Sequence, residues 1–185
     1  MANLTTAQKK LNATLQVPMW VDIFLQNGVN ADIIPVVISQ IVLESNWFSS
    51  NAYKIDHNPA GITWNSNYMS RPGTAVGISR REGGNYVNYI DYKTAAKDMI
   101  RILSKSAAGA PIDATDAIEY AKRLKANGYY TSPLSEYAAG LKSIQNKLDE
   151  YADVTALAKK KTNLTMAAMP LVLIGLIVGT LIFKK

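Results

Sequence analysis

Apolar residues along this chain fall into separated runs whose spacing is mostly helical. Ile33, Ile34, Val36, Val37, Ile38, Ile41, Val42 and Leu43 are apolar almost all round a helix, which predicts a buried central helix with Pro35 in its first turn and Glu44 at its end. Upstream, Trp20, Ile23 and Phe24 predict a short helix over 18–26, stopped by Asn27-Gly28. Residues 49–75 are rich in Asn, Ser, Gly and Pro and read as an irregular lobe of loops, the kind of segment that lines binding sites. Residues 75–82 and 85–89 flank Gly83-Gly84, which predicts a hairpin closed by a two-residue turn. Asp91 or Thr94 can cap a helix to about Ser104, with Ala95, Met99, Ile102 and Leu103 on its inner face. Thr115 to Asn127 predicts another, closed by Gly128. A last soluble helix has Ser132 as cap and Pro133 in its first turn. Its stripe Leu134, Tyr137, Leu141, Ile144, Leu148, Tyr151 is expected to pack on the domain, with a coiled-coil seam, for which it is short, as the alternative. The fold class is mainly α: a helical domain with a small β-hairpin lobe.

Residues 164–183 carry no charge, and twenty residues at about 1.5 Å each match a hydrocarbon core of roughly 30 Å, so the pattern predicts one C-terminal transmembrane helix. The expected organisation is a domain over 1–155, a basic linker over 156–163 and the membrane segment over 164–183. Gly175 and Gly179 form a small-xxx-small pattern that could pair such helices, and a lipid bilayer is the expected partner.

Composition narrows the possibilities. Net charge is +6, but five lysines (159–161, 184 and 185) flank the apolar run, leaving fifteen basic beside fourteen acidic residues, near +1. The high pI therefore belongs to bilayer flanks and does not point to nucleic acid. Zero cysteines exclude a disulfide scaffold, and a single histidine, His57, argues against a histidine-rich metal site or a Ser-His-Asp triad; no metal or cofactor is expected, and His57 reads as a loop or groove-wall residue. Residues 1–10 contain no apolar stretch of the secretory kind.

The candidate chemistry starts from Glu44. A carboxyl at the C-terminal end of an apolar helix is desolvated and meets the negative end of the helix dipole, and both favour its protonated form. A glycosidase needs such an acid, because a sugar oxygen leaves poorly until protonated. A solvated helix-end glutamate is the plainer alternative.

Four stretches in order carry a resemblance. Gln40-Ile41-Val42-Leu43-Glu44-Ser45-Asn46-Trp47-Phe48 and Asn58-Pro59-Ala60-Gly61-Ile62 resemble the Gln-Ala-Ala-Leu-Glu-Ser-Gly-Trp-Gly and Asn-Leu-Phe-Gly-Ile motifs of the N-acetylglucosaminidases of glycoside hydrolase family 73. Residues 81–89 resemble that family's Thr-x-Glu-Tyr hairpin and following strand, and Gly128-Tyr129-Tyr130-Thr131-Ser132-Pro133 resembles its Gly-Tyr-Ala-Thr-Asp-Pro segment. The likeness covers roughly residues 18–150. The chain departs from the pattern at Phe48, at Pro59-Ala60, at Ser132, and in extra residues between Pro133 and Tyr137.

The resemblance implies a lysozyme-like α+β fold and hydrolysis of peptidoglycan between N-acetylglucosamine and N-acetylmuramic acid, with Glu44 as acid. Glu82 would be the second catalytic carboxylate, as base for water or stabiliser of the oxocarbenium-like transition state; a surface pair with Arg80 or Arg81, or assistance by the substrate's N-acetyl group, stays open. Tyr129 matches the groove tyrosine. Trp47 and Trp64 offer flat faces for pyranose rings, and Asn58 joins them as a substrate-binding candidate; Asp56 and Asp91 rank below Glu82. The expected setting is a single-pass membrane protein, best fitted by the internal virion membrane of a lipid-containing phage acting at entry or lysis, with a bacterial wall-remodelling enzyme second. A muramidase, a lytic transglycosylase and a non-catalytic glycan-binding protein are the alternatives.

Overall fold

A computed structural model describes residues 3–65, 77–80, 83–105 and 109–163. Its first helix, α1 (Thr6–Gln26), is 21 residues long and starts a full twelve residues before the predicted one. A capping box accounts for the start: Gln8 N donates to Thr5 Oγ1 at 3.2 Å and Thr5 N to Gln8 Oε1 at 2.8 Å. Pro18 sits inside this helix, although an interior proline costs about 3 kcal/mol in lost bonding and clash. Burial of Ala13, Val17, Trp20, Val21 and Phe24 on the inner face, at about 1.5–3 kcal/mol for each large side chain, offsets it.

Helix α2 (Ile34–Glu44) has Pro35 in its first turn, and every residue from Ile34 to Val42 is buried, as its all-round apolar sequence predicts. After α3 (Asn51–Lys54), strands β1 (Gly77–Ser79) and β2 (Tyr86–Asn88) pair antiparallel with Gly77 opposite Asn88 and Ser79 opposite Tyr86. Among the described residues the pairing ends at Ser79 and Tyr86, a register different from the one a two-residue turn at Gly83-Gly84 would set. Gly83, at φ 79°, donates its N–H to the Arg80 carbonyl. The other edge of β2 is taken by residues 62–64: Val87 N donates to Ile62 O at 2.9 Å and Trp64 N to Asn85 O at 2.7 Å.

Helix α4 (Tyr92–Leu103) is capped by Asp91, whose carboxylate accepts from Thr94 N at 2.7 Å. A 3-10 turn (Pro111–Asp113) leads to α5 (Ala117–Ala126), capped by Asp116 and ended by Asn127 and Gly128. Helix α6 (Leu134–Ala152) begins one residue past Pro133, with no side-chain cap from Ser132. It packs most extensively on α2 and then on α5, so its apolar stripe faces the domain as expected.

Asp153 turns the chain in the left-handed region (φ 44°), and residues 154–163 are helical again, here α7. Val154 and Ala158 are fully buried, Lys161 pairs with Asp22 on α1 at 2.5 Å, and Lys159 lies 3.6 Å from Asp32. The stretch read as a linker thus docks on the domain, because its apolar residues recur at helical spacing and its lysines meet two aspartates. Residues 164–183, with Gly175 and Gly179, lie outside the described residues; among the described ones no helix is long and apolar enough to cross a membrane.

Candidate active site

The buried α2 carries Glu44 to its C-terminal end, where the side chain becomes half-buried. The chain then reverses through three successive residues of positive φ, Asn46 (48°), Trp47 (57°) and Phe48 (62°). Each such non-glycine residue costs roughly 1–2 kcal/mol. Two of these positions are glycines in the motif the sequence resembles, which is the conformational reason for glycine there.

Here other contacts hold the turn. Phe48 N donates to Ser45 Oγ at 2.9 Å, Trp47 N to Val42 O at 2.9 Å, and Asn12 Nδ2 to Trp47 O at 2.9 Å. The Trp47 ring packs on Tyr151 at 5.7 Å with Lys9 Nζ 5.8 Å from its centroid, and Phe48 packs on Tyr53 at 5.4 Å. Trp47 is only 7% exposed, so the structure gives its ring to packing and does not present it as a sugar platform.

Around Glu44 stand three tyrosines and a glutamine. Tyr137 donates to Glu44 Oε1 at 3.3 Å. Tyr120 donates to Gln40 Oε1, one helical turn before Glu44, and Tyr129 donates to Ala60 O at 2.8 Å. Gln40 is fully buried; its Nε2 lies by the Tyr129 hydroxyl but makes no well-formed hydrogen bond among the described residues. Burial raises the Glu44 pKa above the ordinary carboxylate value, opposed by the weaker effect of the Tyr137 hydrogen bond. The hydroxyls of Tyr120, Tyr129 and Tyr137 are pushed up, first by burial and then by neighbouring charges including Glu44, so all three stay neutral donors.

The Tyr129 bond to Ala60 brings the 58–64 loop to the edge of this cluster. Asn58, expected to bind substrate, is 1% exposed and uses its amide on the loop itself: Nδ2 donates to Ile62 O (2.9 Å) and Val87 O (3.0 Å), and Oδ1 accepts from Ile62 N (2.9 Å). It pins the loop to β2. Trp64 lies half-buried at the same edge. Asp56 is buried and accepts from Ser79 Oγ at 2.6 Å, tying β1 to the body. Asp91 is spent on its cap, which lowers its pKa through the Thr94 backbone bond. His57 Nδ1 lies 3.2 Å from the Tyr89 carbonyl, with its ring edge-on to Tyr92. Glu82 lies outside the described residues.

Sequence reasoning gave no role to Gln40, Tyr120, Tyr130 or Tyr137 at this site. Only Gln40, four residues before Glu44 and so on the same helix face, carried a readable signal. Among the described residues, a surface depression of about 1130 Å³ between α2, α5 and α6 is lined by Val36, Ile118 and Leu134, away from Glu44.

The site is thus a helical body with a two-stranded lobe and a desolvated carboxyl, Glu44, at the end of its buried helix. The family model Glucosaminidase, described as mannosyl-glycoprotein endo-beta-N-acetylglucosaminidase, matches residues 18–150. The chain belongs to this glucosaminidase family and is a glycoside hydrolase. Among solved structures it is similar to the catalytic domain of the autolysin Auto from Listeria monocytogenes, with 19% identity over 85% of this chain and 90% of that one and a TM-score of 0.52, a likeness of fold. No curated protein matches it.

Proposed function

We propose that this protein hydrolyses the β-1,4 glycan backbone of peptidoglycan as an endo-β-N-acetylglucosaminidase, with Glu44 as the general acid. The observation that carries the reading is the half-buried Glu44 carboxyl at the end of α2, its pKa raised by burial among neutral tyrosine donors. A protonated Glu44 gives its proton to the glycosidic oxygen as the C1–O bond breaks and its electron pair passes to that oxygen. Glu82, by its match to the family hairpin, activates the attacking water or stabilises the positive charge at C1. Trp64 borders the groove as a ring-stacking surface. The family match and the wall-cutting name of the structural relative support peptidoglycan as the substrate.

The proposed location is a lipid bilayer, with residues 164–183 as the anchor; the support is the length and lack of charge of that run. The virion membrane of a lipid-containing phage is the setting in which a tethered enzyme of this kind would meet the wall during entry.

The test is Glu44→Gln, which keeps size and hydrogen bonding but has no proton to give. It should stay folded and lose at least about a hundredfold in wall-lysis rate. Lysis near the wild-type rate would remove Glu44 from the mechanism.

A further inference from the structure

Of the three tyrosines around Glu44, two have committed hydroxyls: Tyr120 to Gln40 Oε1 and Tyr129 to the Ala60 carbonyl. Tyr137 is the group that hydrogen-bonds the Glu44 carboxyl among the described residues. Its ring lies flat on Tyr130, centroids 3.9 Å apart and planes inclined by 13°. Tyr130 is itself anchored: its hydroxyl donates to Ala121 O on α5 at 2.9 Å, and Lys125 Nζ sits 5.6 Å from its ring centroid while donating to Ser132 O at 2.5 Å. The extra residues between Pro133 and Tyr137 form the first turn of α6, with Tyr137 N bonded to Pro133 O at 3.2 Å, and this turn brings the two rings into register.

We propose that Tyr137, clamped by its stack on Tyr130, is the positioning residue that orients the Glu44 carboxyl for proton transfer. The proposal rests on Glu44 being the acid. Because Tyr137 donates to Oε1, the transferable proton of the neutral acid belongs on Oε2, which has no protein donor among the described residues. The carboxylate left after transfer keeps the Tyr137 bond. At 3.3 Å that bond is long against the usual O–H···O distance of about 2.7–2.8 Å, so a small drift of the ring would break it, and the stack is what restrains the ring.

The groups facing Glu44 from other elements are the neutral phenols of Tyr120, Tyr129 and Tyr137, so loss of one donor is not masked by a nearby described cation. The experiment is the pH dependence of peptidoglycan hydrolysis by the full chain, as wild type, Tyr137→Phe, Tyr130→Ala and Tyr130→Phe. Tyr137→Phe should lower kcat about tenfold with little change in KM. It should also move the alkaline limb to higher pH, because a donor that stabilised the carboxylate is gone. Tyr130→Ala should reproduce both effects, and Tyr130→Phe, which keeps the stack, should rescue them.

An unmoved alkaline limb in Tyr137→Phe overturns the proposal, and so do Tyr130→Ala and Tyr130→Phe that behave alike. If the wild type shows no alkaline limb, or if Glu44→Gln retains activity, the reading of Glu44 as acid fails and takes the proposal with it.

Discussion

Replacing Asn58 with alanine should unfold the groove edge rather than weaken sugar binding. The side chain is 1% exposed and holds three backbone groups: Ile62 N, Ile62 O and Val87 O. Alanine leaves Ile62 N and Val87 O without a partner in a site closed to solvent, while Ile62 O keeps its bond from Val87 N, and each orphaned group costs about 1–3 kcal/mol. With some relaxation toward water the total for the two is about 2–4 kcal/mol, a large part of the roughly 5–15 kcal/mol that holds a domain folded. At about 2–4 °C per kcal/mol for a domain of this size, the thermal midpoint should fall by about 5–15 °C. Asn58→Asp keeps the acceptor for Ile62 N but loses both donors and faces a carboxylate toward two carbonyls, so it should do no better. The assay is thermal and urea unfolding by circular dichroism, with kcat and KM measured well below the midpoint. A midpoint within about 2 °C of wild type, together with a raised KM, would refute the reasoning and return Asn58 to substrate binding.

Two further outcomes follow from the same contacts. Burial raises the Glu44 pKa in the fold, so between its unfolded and folded values the native state binds more protons and stability falls as pH rises. Glu44→Gln should therefore be more stable than wild type at neutral pH, the advantage shrinking as pH falls toward the ordinary carboxylate value of 4.5 and vanishing below it; an equal gain at low pH in a pH series of melts would contradict this. A chain ending at residue 163 should be folded and active without lipid, whereas one ending at residue 153 loses the buried Val154 and Ala158 and should be less stable by about 2–4 kcal/mol in urea titration. Equal stability of the two would show that α7 is not part of the domain.

The elements that were legible in the sequence are those whose burial leaves a periodic trace. The all-apolar α2, the Asp91 cap of α4 and the stripe on α6 each came through. The first half of α1 did not, because between Thr6 and Gln16 the inner face needs only Ala13 and the rest is polar or exposed, with Leu11 58% and Leu15 63% accessible. Its start was written in Thr5 and Gln8 rather than in hydrophobicity. The hairpin turn was misjudged because Gly83-Gly84 satisfies a two-residue connection locally, while register is set by Val87, whose buried side chain must point into the core. The desolvation of Glu44 at the end of α2 was legible from the apolar run before it. The contacts of Tyr120, Tyr129 and Tyr137 with that glutamate's surroundings span 69 to 93 residues, and no local pattern announces them. Asn58 and Trp47 stood beside chemistry in the motif, and burial decides that both side chains are spent on holding it.

The central claim, that this glycosidase uses Glu44 to cut after N-acetylglucosamine, is tested most directly by mass spectrometry of peptidoglycan fragments after digestion and reduction. The new reducing ends should be N-acetylglucosamine, formed by wild type and lost with Glu44→Gln. Reducing N-acetylmuramic acid, or a 1,6-anhydro end, would contradict it by naming a different bond or a different reaction.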